Sequence, residues 1–176
     1  MKIVGNRESA TSAPKKRKFN VWENVHNKMD SSDFTLVFGG EEVPCHKHIL
    51  AAASPVLEAM VKNNHREAIE SKANIKLSTE VGQAFVRFIY TGEVQEDVLK
   101  ENAPAFLEMG EMYNLKELKD LAEKELLSQL EKENMVEMIY IGELFRAEDI
   151  FEAAWKMTKT NLTWLQNQVD ADEKAL

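Results

Sequence analysis

The pattern of apolar and polar positions predicts an α/β fold that begins with a β-hairpin. Residues 33–38 are rich in Phe, Leu and Val, which favour strands, and residues 41–45 return as the second strand. Residues 39–40 are both glycine, which can adopt the positive φ that a tight hairpin turn needs. Two more short strands are predicted at residues 74–77 and 93–95.

Short helices are predicted to follow the hairpin, at residues 46–53 and 55–62. Ser54 can accept a hydrogen bond from a free N–H at a helix start, and Pro55 tolerates the first helical position. Residues 63–71 are largely polar and are predicted to form a loop. The first half of the chain therefore combines a small sheet with helices.

Longer amphipathic helices are predicted next. Thr79 can cap one of them, and Gly92 can end it. Another is expected to start at residue 102 or 103, because Pro104 fits only in the first turn of a helix. A third spans residues 115–130, where leucines recur at helical spacing.

The C-terminal part repeats a helix–helix pattern. Asn134, with Glu137 three residues later, predicts a capping box at a helix start. A second helix is predicted at residues 147–158, and residues 161–165 would begin a third. Residues 166–176 are predicted to be frayed.

Charge is distributed unevenly along the 176 residues, whose net charge is −8. Residues 1–18 carry +5 and the remainder −13, so the acidic folded part is a poor binder of nucleic acid. No apolar run approaches the ~20 residues that span a bilayer, and no secretory signal is recognised. The single cysteine, Cys45, excludes an intrachain disulfide and fits a reducing compartment.

The N-terminal charge is concentrated after Pro14, where Lys15, Lys16, Arg17 and Lys18 are consecutive. Within a polar tail predicted to be disordered over residues 1–18, such a run resembles a nuclear localisation signal. It predicts a nuclear import receptor as a partner and the nucleus as the location, with the cytoplasm as a second one. The alternative is a solvated basic tail.

No arrangement of residues indicates catalysis, and no metal or cofactor is expected. Cys45, His46 and His48 lack the usual ligand spacing for a metal. Cys45 and His46 would point to opposite faces of a strand, which opposes a nucleophile–base pair. Cys45 is therefore predicted to be a small core residue.

Residues 43–55, VPCHKHILAAASP, resemble the signature of BTB/POZ domains, in which a strand leads into H-K-x-I-L-A-A-x-S-P. Residues 33–38 and 88–92 (FIYTG) lie where that family has its first strand and a characteristic turn. The closest resemblance is to the BTB plus 3-box region of speckle-type POZ proteins. It implies a BTB/POZ fold, a small sheet flanked by helices, over residues 19–130, with a 3-box or BACK-like helical extension over 131–165.

The resemblance implies dimerisation, with self or another BTB protein as partner. A helix ahead of the first strand, the helix after the hairpin and a charge pair would form the interface: Phe19, Val21, Trp22, Val25, Ile49 and the pair Asp33 and Lys47. The alternatives are a helix packed on its own domain and two exposed charges beside the hairpin.

The resemblance also implies a non-enzymatic adaptor that holds the N-terminal helices of a cullin scaffold in a RING ubiquitin ligase. Its cullin-facing positions are Met60, Val61, Ala68, Ile69, Glu70, Tyr113, Asn114 and Leu115. Ala68 takes the place of the family's apolar anchor, and Ile69 is the alternative anchor.

Two other functions are compatible with the sequence. One is a dimerisation module of a transcriptional regulator. The other is a modulator that heterodimerises with full-length speckle-type proteins, which carry a substrate-binding domain ahead of the BTB region. Only about 18 residues precede that region here, so substrate capture is expected to use the tail, the terminal helices or a partner subunit.

Overall fold

The computed structural model describes residues 31–62, 66–164 and 166. Within these residues the sheet has three strands, one of which lies between the other two. The central β1 (Phe34–Phe38) pairs antiparallel with β2 (Glu41–Cys45) and parallel with β3 (Lys72–Ile75). Gly39 and Gly40 form the two-residue turn with φ of +58° and +92°. The pairing of β1 with β2 confirms the predicted hairpin. Glycine takes the φ values of its turn without a steric cost.

Helices account for most of the remaining described chain. They are α1 (Lys47–Ala53), α2 (Pro55–Lys62), α3 (Arg66–Glu70), α4 (Thr79–Thr91), α5 (Glu96–Met112), α6 (Lys116–Ser128), α7 (Met135–Leu144) and α8 (Glu148–Thr160). None of the helices within residues 31–62 and 66–164 is long and apolar enough to cross a membrane.

One hydrophobic core joins the sheet to the helices. Its largest fully buried side chains include Phe38 of β1, Phe85 of α4 and Phe106 of α5. Ile150 and Ala154 of α8 belong to the same cluster. The helices after α6 therefore share the core of the sheet-containing part. The predicted α/β class, a small sheet flanked by helices and followed by further helices, is confirmed.

The loop predicted at residues 63–71 is wrong for residues 66–70, which form α3. Arg66 and Glu70, one turn apart, are joined by a 2.7 Å ion pair, and none of the five residues is buried. An exposed helix carries mostly polar side chains, so its composition resembles that of a loop. The strand predicted at 74–77 begins two residues earlier, because Lys72–Ile75 is the stretch that pairs with β1.

Residues 93–95, predicted to be a strand, belong to no strand of this chain. The helix predicted from residue 102 or 103 begins earlier, at Glu96, but it is interrupted at Asn102, where φ is −126° and ψ is 23°. Pro104 accounts for the break in the helix, because its nitrogen has no hydrogen to donate to the carbonyl four residues earlier and its ring crowds that turn. The segment after Asn102 is the helix that the sequence predicts.

Two predicted helix caps are corrected. Ser78, not Thr79, caps α4: its Oγ accepts from the backbone N–H of Val81, whereas the Thr79 hydroxyl donates to the carbonyl of Phe38. Asn134 makes no capping bond at α7. Its side chain instead accepts from the N–H of Glu131 and donates to the carbonyl of residue 129, so it orders the turn after α6.

The crossing of α5 and α6 generates a prediction about stability. A Cβ added to Gly110 would lie 2.7–2.8 Å from the backbone and Cβ of Lys119. Because backbone cannot give way as a flexible side chain can, we expect Gly110→Ala to lower the free energy of unfolding by about 1–3 kcal/mol in urea denaturation. Gln83→Ala, on the exposed side of α4, is the control and should change it by less than about 0.5 kcal/mol. Equal losses in both variants would contradict the close crossing.

Candidate interaction surfaces

His46 and Cys45 of the 43–55 segment have structural partners. The hydroxyl of Tyr90 accepts from the backbone N–H of His46 at 2.9 Å and lies 2.8 Å from Nδ1 of the same residue. Nε2 of His46 lies 2.9 Å from the Ser31 hydroxyl. Cys45 is fully buried, with Sγ 3.5 Å from the carbonyl of Val43. Cys45 is therefore the core residue that the sequence predicts.

Burial also determines the chemistry of Cys45, because it raises the pKa of the thiol from 9.0 to about 12. The side chain is a neutral thiol at physiological pH and not a nucleophilic thiolate. Within residues 31–62 and 66–164, no group of three or more His, Cys, Asp or Glu side chains is arranged to hold a metal ion.

Asp33 and Lys47 are brought together, but not as the predicted pair of charged side chains. Oδ1 of Asp33 accepts from the backbone N–H of Lys47 at 2.7 Å. The Lys47 ammonium instead donates to the hydroxyl of Ser71 at 2.9 Å and lies 5.8 Å from the centre of the Phe34 ring. The carboxylate therefore caps the first N–H of α1, and the ammonium bridges to the end of α3.

An apolar groove of about 600 Å³ lies beside α1 and the end of α4. It is lined by His48, Ile49, Ala52, Ala53, Ile89, Tyr90, Thr91 and Gly92. Ile49, a predicted dimer residue, is half-buried there, and Ala52 is exposed. The small alanine side chains allow another helix to approach closely. The other apolar dimer positions, Phe19, Val21, Trp22 and Val25, lie outside the described residues, as do Lys15, Lys16, Arg17 and Lys18.

Helix α3 carries the most exposed large apolar side chain in the described chain. Ile69 is 75% exposed, whereas Ala68 beside it is half-buried. Glu70 is exposed and paired with Arg66. The apolar side chain that α3 offers to a partner is thus Ile69, the alternative anchor in the sequence analysis.

Three of the predicted cullin-facing residues cannot offer much surface to a partner. Val61, Tyr113 and Leu115 are each only 5% exposed. Each has apolar surface that packs into the core. Tyr113, for example, stacks at a tilt on Phe85 with ring centroids 5.4 Å apart. Burial raises the pKa of its phenol. These residues therefore lie beneath the predicted surface and pack into the core, and they contribute little exposed area to the surface itself.

Met60 is half-buried and Asn114 is exposed, so both can contribute to that surface. Asn114 has a φ of +52°, which ends α5, and the N–H of Leu115 returns to the carbonyl of Gly110 at 2.8 Å. The Ser54 hydroxyl donates to the carbonyl of Tyr113 at 2.5 Å. The turn at Asn114 is therefore fixed against the start of α2.

A second apolar surface, which the sequence analysis missed, lies on α7. Val136, Tyr140 and Leu144 are 54%, 64% and 53% exposed. Their spacing of four residues places them on one face, and we call them the α7 stripe. The opposite face of α7 is also apolar and is buried, so the helix is apolar on two sides. The four-residue spacing of these residues was the available sequence signal. It could not be distinguished because α7 has apolar residues on both faces.

The end of the α7 stripe lies close to the turn at Asn114. Nζ of Lys119 donates to the carbonyls of Phe145 and Arg146, which follow α7, at 2.8 and 3.0 Å. The same ammonium binds Glu111, near the end of α5, at 2.7 Å. Lys119 therefore joins the α7–α8 turn to the segment just before Asn114.

The family model of the BTB/POZ domain matches residues 23–130, more than half of the chain. This chain therefore belongs to the BTB/POZ domain family. The finding agrees with the fold, in which a small sheet and helices precede a further helix pair. The narrower resemblance to speckle-type POZ proteins stays a prediction from the sequence.

Similar curated proteins include Kelch-like protein 25 of Xenopus laevis, 30% identical over 141 residues, and human Kelch-like protein 38, 27% identical over 143 residues. These alignments cover 79% and 81% of this chain but 24% of each relative, so the chain spans about a quarter of their length. Among solved structures, the BTB domain of human gigaxonin is 25% identical, with a TM-score of 0.47, over 67% of this chain and 97% of the other.

The buried thiol gives a testable dependence of stability on pH. The pKa of Cys45 is raised from 9.0 to about 12, so the folded state keeps its proton while the unfolded state loses it. The buried neutral thiol therefore makes its full contribution to the free energy of unfolding below pH 9, and this contribution declines as the pH rises toward 12. Relative to Cys45→Ala, the native protein should lose about 1.4 kcal/mol of unfolding free energy between pH 8 and pH 10.

The comparison with Cys45→Ala removes most of the background from Tyr90 and Tyr113, because both are present in both proteins and burial is the main cause of their raised pKa values; Cys45 is a secondary cause for Tyr90. Urea denaturation at the two pH values measures the difference. A constant gap between the two proteins would show that Cys45 titrates normally.

Proposed function

We propose that this chain is a non-catalytic, dimerising adaptor that binds the N-terminal region of a cullin scaffold and so serves a RING ubiquitin ligase. The observation that carries the proposal is Ile69, which α3 presents to solvent at 75% exposure within a BTB/POZ domain. An apolar side chain surrounded by charged neighbours is typical of a binding anchor with a polar rim.

Physical considerations support Ile69 as the anchor. Fully burying an aliphatic side chain contributes roughly 1.5–3 kcal/mol, and Ile69 keeps most of its surface for such burial. Ala68, half-buried and smaller, could contribute much less. Met60 and Asn114 are exposed enough to extend the contact, while Val61 and Leu115 hold its base.

The α7 stripe supports a role for the helical extension in the same interaction. A helix that is apolar on both sides is typical of one covered on both sides. The Lys119 bonds place the end of the stripe beside the turn at Asn114, which belongs to the predicted cullin-facing surface. A cullin in contact with α3 and Asn114 could therefore also cover Leu144, and this supports the predicted role of the 3-box-like extension.

Dimerisation is proposed through the groove beside α1, with another copy or another BTB protein as the partner. Ile49 and Ala52 face an apolar cavity that a helix of modest size could fill. Phe19, Val21, Trp22 and Val25 complete the proposed interface. Asp33 is exposed, so its free oxygen can accept a bond from the partner.

The nucleus, with the cytoplasm as a second location, is proposed from the basic run at Lys15, Lys16, Arg17 and Lys18 alone. We propose that this basic run binds an import receptor. The rest of the chain carries a net charge of −13 and is unsuited to nucleic acid. A dimerisation module of a transcriptional regulator, and a modulator that heterodimerises with full-length speckle-type proteins, are the alternatives.

Binding to a purified cullin N-terminal domain tests the proposal. We expect a complex with the native chain, and we expect Ile69→Ala to raise its Kd about tenfold, because roughly 1.4 kcal/mol of apolar burial is lost. The thermal midpoint should not change, since Ile69 contributes little to the core. Calorimetric titration and thermal denaturation give the two measurements.

Ile69→Met keeps an apolar side chain of similar volume and is the matched control, with an expected Kd within about threefold of the native value. Tyr140→Ser reports on the α7 stripe in the same assay and should weaken binding if the extension takes part. No complex at tens of micromolar with the native chain would favour the transcriptional dimerisation module instead.

The dimer proposal predicts that Ala52→Asp yields a monomer. The side chain of Ala52 is exposed in a single chain, so the carboxylate costs little there but would be buried without a partner in the dimer. Light scattering coupled to gel filtration measures the mass. Gln83→Asp, exposed on α4, introduces the same charge and should leave the dimer intact. If both variants elute as dimers, the groove is not the interface.

A further inference from the structure

Lys47 contacts two parts of the fold that are distant from it in sequence. Its backbone N–H donates to Asp33, ahead of β1, and its ammonium lies over the ring of Phe34 in β1. The same ammonium donates to the hydroxyl of Ser71 at 2.9 Å. Lys47 itself begins α1, the helix that lines the apolar groove.

Ser71 is the residue at which α3 ends. It directly follows Glu70 and has a φ of +51°, a left-handed conformation that non-glycine residues adopt rarely. Its carbonyl accepts from the N–H of Thr35 at 2.9 Å. Ser71 is thus held on both sides, by β1 through its backbone and by Lys47 through its side chain.

Helix α3 contacts α2 and β3, but it is weakly anchored there. It has five residues, none of them buried, and its internal ion pair between Arg66 and Glu70 is exposed. Such a short helix is not stable through its own backbone bonds. The residues at its ends therefore contribute strongly to its direction, and with it to the direction of Ile69.

We infer that Lys47 is a positioning residue for the α3 surface: its ammonium, supported by the ring of Phe34, fixes Ser71 and so the direction in which Ile69 points. The inference deepens the proposed function, on which its consequence for cullin binding rests. It also joins the proposed dimer face on α1 to the proposed partner face on α3 through a single side chain. The charge pair expected from the sequence gives no such connection.

Hydrogen exchange of the full-length protein tests the positioning directly. Lys47→Met keeps the length of the side chain but removes its donors, and Ser71→Ala removes only the acceptor. Both variants should raise exchange about tenfold in peptides covering α3 and β3, while α6 exchanges as in the native protein. The double variant should match either single variant, because both changes break one bond. Lys116→Met, which breaks the exposed pair with Asp120, is the control.

The same variants are then titrated with the cullin N-terminal domain. Lys47→Met and Ser71→Ala should each raise the Kd three- to tenfold. Ser71→Ala, which lies outside the proposed dimer face, should leave the dimer mass unchanged in light scattering. Unchanged exchange in α3 would overturn the role of Lys47, and so would additive effects in the double variant. If the variants exchange faster in α3 but the native protein does not bind the cullin, the positioning role of Lys47 is retained and the proposed function is rejected. If Lys47→Met does not fold, Ser71→Ala alone decides the question.

Discussion

The buried hydroxyl of Ser54 is the contact on which the arrangement of the surfaces depends. It accepts from the N–H groups of Val56 and Leu57, which starts α2, and it donates to the carbonyl of Tyr113, 59 residues away. One hydroxyl group therefore provides hydrogen-bond partners both at the start of α2 and at the end of α5. Without it, three backbone groups would lose this partner, which is costly for the two that are buried, the N–H of Leu57 and the carbonyl of Tyr113. The same contact fixes the turn at Asn114 relative to the helix that leads toward α3.

The three surfaces of the protein lie on three different helices. α1 lines the apolar groove, α3 presents Ile69, and α7 presents an apolar stripe beyond the Asn114 turn. Of the two neighbouring residues with chemically reactive side chains, His46 bonds to Tyr90 of α4 and Cys45 is buried in the core. Such a fold contributes shape and apolar area and leaves its polar side chains mainly to fix geometry. This is the physical basis for proposing an adaptor.

Local chemistry made the hairpin, the start of α2 and the end of α4 predictable, because Gly39-Gly40, Ser54-Pro55 and Gly92 each act within a few residues. The cap by Asn134 was wrong because its amide found partners in the preceding turn. The buried Tyr113 could not be recognised from its neighbours, since Phe85, on which it packs, lies in another helix. Ile69 was found only as an alternative, because periodicity does not show which residue of a short exposed helix points outward.

The edge of the sheet at β2 has a consequence for assembly. In the two-residue hairpin, the pair Thr35 and Pro44 is one whose backbone groups point away from the partner strand. Pro44 therefore places a nitrogen without hydrogen on the outer edge, and the exposed Glu41 adds a negative charge near it, whereas Glu42 pairs with Lys72. A strand from another molecule would find a missing donor and a charged side chain there. Copies of this protein are thus discouraged from adding at the β2 edge, which favours association through the helical faces.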